Sequence, residues 1–171
     1  MKHTISILVE NKFGVLARIA GLFSARGFNI TSLAVGETED PAVSRMTIVV
    51  KGDDKTLEQI KKQLNKLIDT IKVVDFKEGK FIDRELVLVK VPVFAENRKE
   101  VLEAIKTFEA KVANVGSKSI SVEMAASQDG IKALMELLRP FGLLEVVRTG
   151  RIAMSVEDMD LKSGGKPEVN E

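Results

Sequence analysis

Apolar and polar positions alternate with two different periods in the first half of the chain. Residues 3–10 alternate at every second position, which predicts a strand, and residues 29–36, 43–50 and 71–76 are also predicted as strands. The two stretches between them carry apolar residues at helical spacing, namely Val15, Leu16, Ile19, Leu22 and Phe23 in one and Leu57, Ile60, Leu64, Leu67 and Ile68 in the other. The predicted order of elements is βαββαβ.

The same order recurs in the second half. Residues 86–94, 112–116, 119–125 and 143–149 are predicted strands. The predicted helices carry Val101, Ile105 and Phe108 after a capping Asn97, and Ile131, Leu134, Met135 and Leu138 before a stop at Arg139-Pro140. We therefore predict an α+β protein of two tandem ferredoxin-like domains, each an antiparallel sheet with two helices on one face.

Charge and polarity set the expected domain limits. The first domain is predicted at residues 1–77, a charged linker at 78–85 and the second domain at 86–150. Residues 151–171 lack periodicity and are predicted to be a polar, mobile tail.

Some apolar strand positions of the first domain lie on both faces of the predicted sheet: Leu8, Leu33, Val35, Val49 and Val50. Helices cover only one face, so the other face indicates a partner surface and hence an oligomer. The alternative is that the two domains of one chain cover each other.

Composition excludes several kinds of chemistry. The net charge of +1 gives no global field for nucleic acid or an anionic membrane, and the absence of tyrosine and tryptophan disfavours RNA binding by the sheet. With His3 as the single histidine and no cysteine, neither a histidine triad nor a histidine-rich metal site can form. We expect a non-catalytic, cytoplasmic protein without a membrane segment.

The turn between the first strand and first helix is the candidate binding site. Gly14 lets the backbone approach a ligand, and the helix that follows offers unpaired N–H groups to a carboxylate. The side chain of Asn11 supplies a donor and an acceptor beside it, a combination that suits a zwitterionic amino acid. A helix cap without any ligand has the same pattern.

A longer set of residues resembles the small, regulatory subunits of acetolactate synthase. These residues are Glu10-Asn11, Gly14, Leu16, Arg18, Gly21-Leu22-Phe23, Arg26-Gly27, Asn29-Ile30, Ser32-Leu33, Ser44-Arg45-Met46-Thr47, Leu64, Asp83-Arg84-Glu85 with the LVLVKV strand, and Glu145 to Gly150. The resemblance covers most of the chain and identifies the first domain as an ACT domain, a small-molecule-binding ferredoxin-like module.

The resemblance implies a function without chemistry of its own. Such subunits bind and activate a catalytic subunit that carries thiamine diphosphate, FAD and magnesium, and no cofactor is expected in this chain. They also confer feedback inhibition by valine in branched-chain amino acid synthesis. ACT domains of this family pair side by side as a homodimer, and the effector sits between subunits.

The resemblance also implies positions for the effector. Asn11 and the backbone around Gly14, with Phe13 and Val15, would hold the amino acid from one chain, and Asn29, with Ile30, would reach it from the other. Asn29 is equally explained as a turn residue after Gly27, and Ile30 and Val35 are better explained as core. Arg18 is interpreted as a solvated or interface charge.

Two other functions stay open at this point. A free-standing amino-acid sensor would keep the site but not the resemblance through the second domain. An enzyme with an ACT domain is disfavoured by the missing catalytic residues. The choice among valine, leucine and isoleucine is also open, because one methylene changes binding by only about 1–3 kcal/mol.

Overall fold

The structure is a computed structural model that describes residues 1–76 and 80–156. Its contacts divide the chain into two compact units. The described residues of the first unit are 1–76, 80–82 and 153–156, and those of the second are 83–152.

The first sheet has four antiparallel strands in the order β2-β3-β1-β4. Its elements are β1 Lys2–Glu10, α1 Val15–Ala25, β2 Ile30–Glu37, β3 Val43–Lys51, α2 Asp54–Leu64 and β4 Thr70–Phe76. This confirms the predicted βαββαβ order. The first helix ends two residues before Gly27, and β2 starts directly after Asn29.

Alternate residues of β1 face the two helices and form the first core. Ile5, Ile7 and Val9 pack with Val15, Ile19 and Phe23 of α1 and with Leu57, Ile60 and Leu64 of α2. Spacing of two residues on the strand and of three or four on the helices brings these side chains onto facing surfaces.

The opposite face of the first sheet is also buried in its central strands. Leu8 is 7% exposed and Val49 is 1% exposed. Their polar neighbours Thr4, Ser6 and Thr47 are also buried, at 2–3% exposed. These two apolar residues therefore give no support to an oligomer. Val35 is 46% exposed, so its interpretation as a core residue is wrong: it lies on the edge strand β2.

The second sheet has the path β6-β7-β5-β8, and β9 also pairs with β5. Its elements are β5 Phe81–Pro92, α3 Arg98–Thr107, β6 Lys111–Val115, β7 Ser119–Ala126, α4 Gln128–Leu138, a 3-10 turn at Arg139–Phe141, β8 Glu145–Arg148 and β9 Ile152–Ser155. Val87, Val89 and Val91 of β5 pack beneath α3 and α4. The two ferredoxin-like sheets predicted from the periodicity are confirmed.

Two local predictions differ from the structure. Strand β5 begins at Phe81, inside the predicted linker, and residues 152–155 of the predicted tail form β9. The physical reason is that the two segments pair with each other, which satisfies their backbone groups although neither has a strong apolar pattern. The remaining parts of both predictions, residues 78–79 and 157–171, lie outside the described residues, and the exact domain limits stay predictions.

Ion pairs explain why charged residues can occupy the start of β5. Arg148 donates two hydrogen bonds of 2.7 Å to the carboxylate of Glu85, whose side chain is only 5% exposed. Arg151 Nε lies 3.1 Å from Asp83 Oδ2, and Arg151 Nη2 donates to Gln128 Oε1 at 2.6 Å. Buried charges need such partners, and the pairs join β5 to the end of β8 and to the segment that follows it.

Candidate functional site

Gly14 forms the N-cap of α1 in a left-handed conformation, with φ 83° and ψ −8°. Residues with a Cβ rarely adopt this conformation, so glycine is favoured there. The helix has no side-chain cap and no acidic residue in its first turn. The backbone therefore enters the helix without a side chain that caps the N–H groups of the first turn.

Several amide groups at this end remain free to donate. Val15 N–H donates to Lys12 O at 3.3 Å, and Arg18 N–H donates to Gly14 O at 2.9 Å. Within residues 1–76 and 80–156, nothing accepts a hydrogen bond from the N–H groups of Phe13, Gly14, Leu16 and Ala17. Together with the positive end of the helix dipole, these donors favour an anion.

Hydrogen bonds from Asn11 connect this turn to the end of β2 and to the loop between β2 and β3. Its N–H donates to Ala42 O at 2.7 Å, and its Nδ2 donates to Pro41 O at 2.9 Å and to Glu37 Oε1 at 3.0 Å. No donor from the described part of the chain reaches its Oδ1. That oxygen is a possible acceptor for an ammonium group, beside the anion-binding amides.

The other predicted site residues fall into two groups. Phe13 lies in the same turn with a fully exposed ring, whereas the side chain of Val15 is 3% exposed and belongs to the core. Asn29 and Ile30 lie beyond the far end of α1, a helix of 11 residues and hence about 16 Å long. A single chain thus does not bring Asn29 to the Asn11–Gly14 turn.

The far end of α1 closes in a Schellman motif, which sets the position of Asn29. Phe28 N–H donates to Phe23 O at 2.9 Å, Gly27 N–H donates to Ser24 O at 3.0 Å, and Gly27 has φ 69°. The side chain of Asn29 is exposed and makes no hydrogen bond to the described residues. Ile30 is half-buried against the first core, as the sequence favoured.

Sequence reasoning interpreted Arg18 as a solvated or interface charge and did not place Glu37 at the turn. Arg18 Nη2 pairs with Asp69 Oδ2 at 2.9 Å, and Glu37 lies against the amide of Asn11. The partners are far apart in sequence, so no local signal could have placed them together. The turn therefore has a cation and a carboxylate in addition to its backbone donors.

A second charge pair adjoins the turn. Lys12 Nζ donates to Glu10 Oε2 at 2.8 Å, and this hydrogen bond, with the charge of the carboxylate, raises the pKa of Lys12 above its ordinary value. Lys12 therefore keeps its positive charge at neutral pH.

The described residues contain neither a metal-binding cluster nor a membrane-spanning helix. In these two ranges no three histidine, aspartate or glutamate side chains are grouped so that they could hold a metal ion. None of the helices in the described ranges combines the length and apolarity needed to cross a membrane.

Two family models match the chain and together span most of it. Residues 5–72 match the acetolactate synthase (AHAS) small subunit-like ACT domain, and residues 84–157 match the small subunit of acetolactate synthase. The first of these matches defines the first sheet and its helices as an ACT domain, which contains the turn described above.

Relatives and a solved structure agree with these models. The chain is 52% identical over 154 residues to a probable acetolactate synthase small subunit of Archaeoglobus fulgidus, covering 90% of this chain and 96% of that one. It is 49% identical over 153 residues to the acetolactate synthase small subunit of Mycolicibacterium smegmatis, and the match covers 90% of each chain. The acetolactate synthase small subunit of Thermotoga maritima superposes with a TM-score of 0.85 at 38% identity, covering 93% of this chain and 99% of that one.

The chain belongs to the family of acetolactate synthase small subunits, as the resemblance predicted.

Proposed function

We propose that the chain activates an acetolactate synthase catalytic subunit and makes it sensitive to feedback by valine. The observation that carries the proposal is the β1–α1 turn, which presents unpaired backbone donors beside a free amide oxygen within an ACT domain of this family. Donors for a carboxylate next to an acceptor for an ammonium are what an amino-acid effector needs.

The proposed effector site takes one part from each of two chains. The Asn11–Gly14 turn of one chain, with Phe13 above it, holds the charged groups, and Asn29 of a second copy completes the site. The length of α1 supports this, because Asn29 is too far from the turn to act within its own chain.

Pairing of the edge strand β2 accounts for the two-chain site. Strand β2 is an edge strand of the first sheet. It starts directly after Asn29 and ends at Glu37, whose carboxylate accepts a hydrogen bond from Asn11 of the turn. Two copies that pair antiparallel along β2 bring the start of one strand near the end of the other. In this homodimer Asn29 of each copy approaches the turn of its neighbour.

The chemistry belongs to the proposed partner. Thiamine diphosphate, FAD and magnesium are expected on the catalytic subunit in the cytoplasm, and this chain contributes binding and regulation. If valine binds one dimer geometry more tightly than another, it shifts the population toward that geometry. A catalytic-subunit conformation that requires the other geometry then becomes less populated, because binding and conformation are linked.

The test combines titration with reconstitution. Calorimetric titration of the full chain with valine, leucine and isoleucine is run beside Gly14→Asp, and acetolactate formation is measured after mixing with the catalytic subunit. We expect Gly14→Asp to lose saturable valine binding and inhibition but to keep activation. Its own carboxylate would occupy the amides that the effector needs.

The matched control is Gly14→Asn, which tolerates the left-handed conformation equally well and has no charge. Valine inhibition that persists in Gly14→Asp would reject the turn as the site. Loss of activation in the same variant would contradict separate regions for sensing and activation. Failure to co-purify with a thiamine-dependent chain would favour a free-standing sensor.

A further inference from the structure

Arg18 is placed to contact whatever binds at Gly14. It is the fourth residue of α1, and its N–H donates to Gly14 O at 2.9 Å. Helical side chains lean toward the N-terminus, and that of Arg18 does so over the open first turn. Its Nη1 lies 3.8 Å from the point that a Cβ atom on Gly14 would occupy.

Asp69 holds the guanidinium in this position. Arg18 Nη2 lies 2.9 Å from Asp69 Oδ2, and the aspartate side chain is only 11% exposed. Asp69 O also accepts a hydrogen bond of 2.9 Å from Glu10 N–H, so the carboxylate belongs to a segment fixed to the end of β1. The arginine side chain is 52% exposed, and the contact with Asp69 is made through Nη2.

The charge distribution favours a second carboxylate here. A cation at a helix N-terminus opposes the helix dipole, and the first turn of α1 has no acidic residue to offset it. Guanidinium has several N–H donors in fixed directions, so it can bind one carboxylate through Nη2 and another through Nη1. Asp69 uses the first of these.

We propose that Arg18, positioned by Asp69, binds the carboxylate of the effector and makes the site specific for free amino acids. Its Nη1 and the free amides of the Gly14 turn donate to the same carboxylate, while Asn11 Oδ1 accepts from the ammonium. This inference rests on the proposed function and adds a specificity-determining residue to it.

The experiment compares valine with valinamide, which keeps the side chain and amino group but lacks the carboxylate. Both are titrated into the full chain, alone and bound to the catalytic subunit. We expect Arg18→Met to weaken valine binding by about tenfold or more and to leave valinamide binding unchanged, because the variant removes a charge-assisted contact with the ligand carboxylate, whereas the loss of the partner of Asp69 affects both ligands alike. Arg98→Met is the matched control, since it makes the same change at the exposed first residue of α3, outside the ACT domain.

The ratio of the two affinities decides the outcome. A ratio that falls in Arg18→Met and stays at the parent value in Arg98→Met supports the proposal, whereas an unchanged ratio in Arg18→Met overturns it. If circular dichroism shows that Arg18→Met does not fold, Arg18→Lys replaces it. Lysine keeps the positive charge but lacks the two fixed N–H directions of a guanidinium, so the ratio of valine to valinamide affinity must still fall, by a smaller factor than for a variant without the charge. Absence of valine binding in the parent complex would reject the effector function and this inference together.

Discussion

The two βα turns at equivalent places in the repeated fold differ in how many of their polar groups are hydrogen-bonded within the turn. After β1, Gly14 leaves the end of α1 open, and the half-exposed Arg18 lies beside it. After β5, the side chain of Asn97 binds its own turn, with Oδ1 accepting from Phe94 N–H at 2.8 Å and Nδ2 donating to Pro92 O at 3.4 Å. Helix α3 also has Glu100 in its first turn.

The same contrast holds for the charged side chains near each turn. The fourth residue of α3 is Val101, which is fully buried where α1 has Arg18. In the second unit, Glu85 is buried and pairs with Arg148 instead. The first turn of α3 contains Glu100 beside Arg98 and Lys99, and the fourth residue of α3 supplies no cation over that turn. One copy of the fold thus has the features of a binding site, and the other has those of a scaffold.

The largest expected effect is in the second unit. Arg148→Met leaves the 5% exposed Glu85 as a buried unpaired carboxylate, and we expect it to lower the free energy of unfolding by about 3 kcal/mol. Urea denaturation measures this loss, and the double variant with Glu85→Gln should recover part of it. Valine affinity should not change, and a large change would contradict the division between site and scaffold.

The two asparagines provide a matched pair of intermediate size. Asn97→Ala and Asn11→Ala each remove hydrogen bonds to a turn, and each should cost about 1 kcal/mol of stability in urea titrations. Only Asn11→Ala should also abolish valine binding in calorimetry. Equal effects on binding from both variants would show that the two turns do not differ in function.

The smallest expected effect concerns a capped helix of the first unit. Asp53 caps α2 by accepting from Thr56 N–H at 2.8 Å, and hydrogen bonding from Thr56, first from its side chain, lowers the pKa of Asp53 below its ordinary value. A lowered folded pKa means that the cap stabilises above the unfolded pKa, near pH 4, and is lost as the pH falls through the folded value.

Asp53→Ala should therefore lower the melting temperature near pH 7 and have little effect near pH 2. Thermal unfolding followed by circular dichroism measures both. A difference between parent and variant that stays constant with pH would mean that the carboxylate charge is not what stabilises α2. Valine binding at α1 should be the same in both proteins.

Hydrophobic periodicity was sufficient to predict the order of strands and helices as far as β8, but it did not predict β9. The cores lie on the predicted stripes, except that α2 ends at Leu64, so Ile68 lies outside the helix and is 96% exposed. The stop at Arg139-Pro140 coincides with the end of α4 at Leu138. Asn97 shows a limit of local rules, because it occupies the N-cap position of α3 but makes no capping hydrogen bond to the helix. Its side chain is used by the preceding turn instead.

Interactions between distant segments could not be predicted. The start of β5 at Phe81 depends on β9 and on ion pairs with Arg148 and Arg151, which follow it by most of a domain. The contact of Arg18 with Asp69 is of the same kind. Asn11 and Gly14 could be selected because their residue types imply donors and backbone conformation by themselves.

The length of α1 has a consequence for mixed dimers. Because α1, about 16 Å long, lies between Asn11 and Asn29, each chain of the proposed dimer would serve two different sites. A chain carrying Asn11→Ala and a chain carrying Asn29→Ala would then complement each other. Their heterodimer would contain one site with both asparagines intact and one with neither, so two insensitive variants would together restore half of the valine sites.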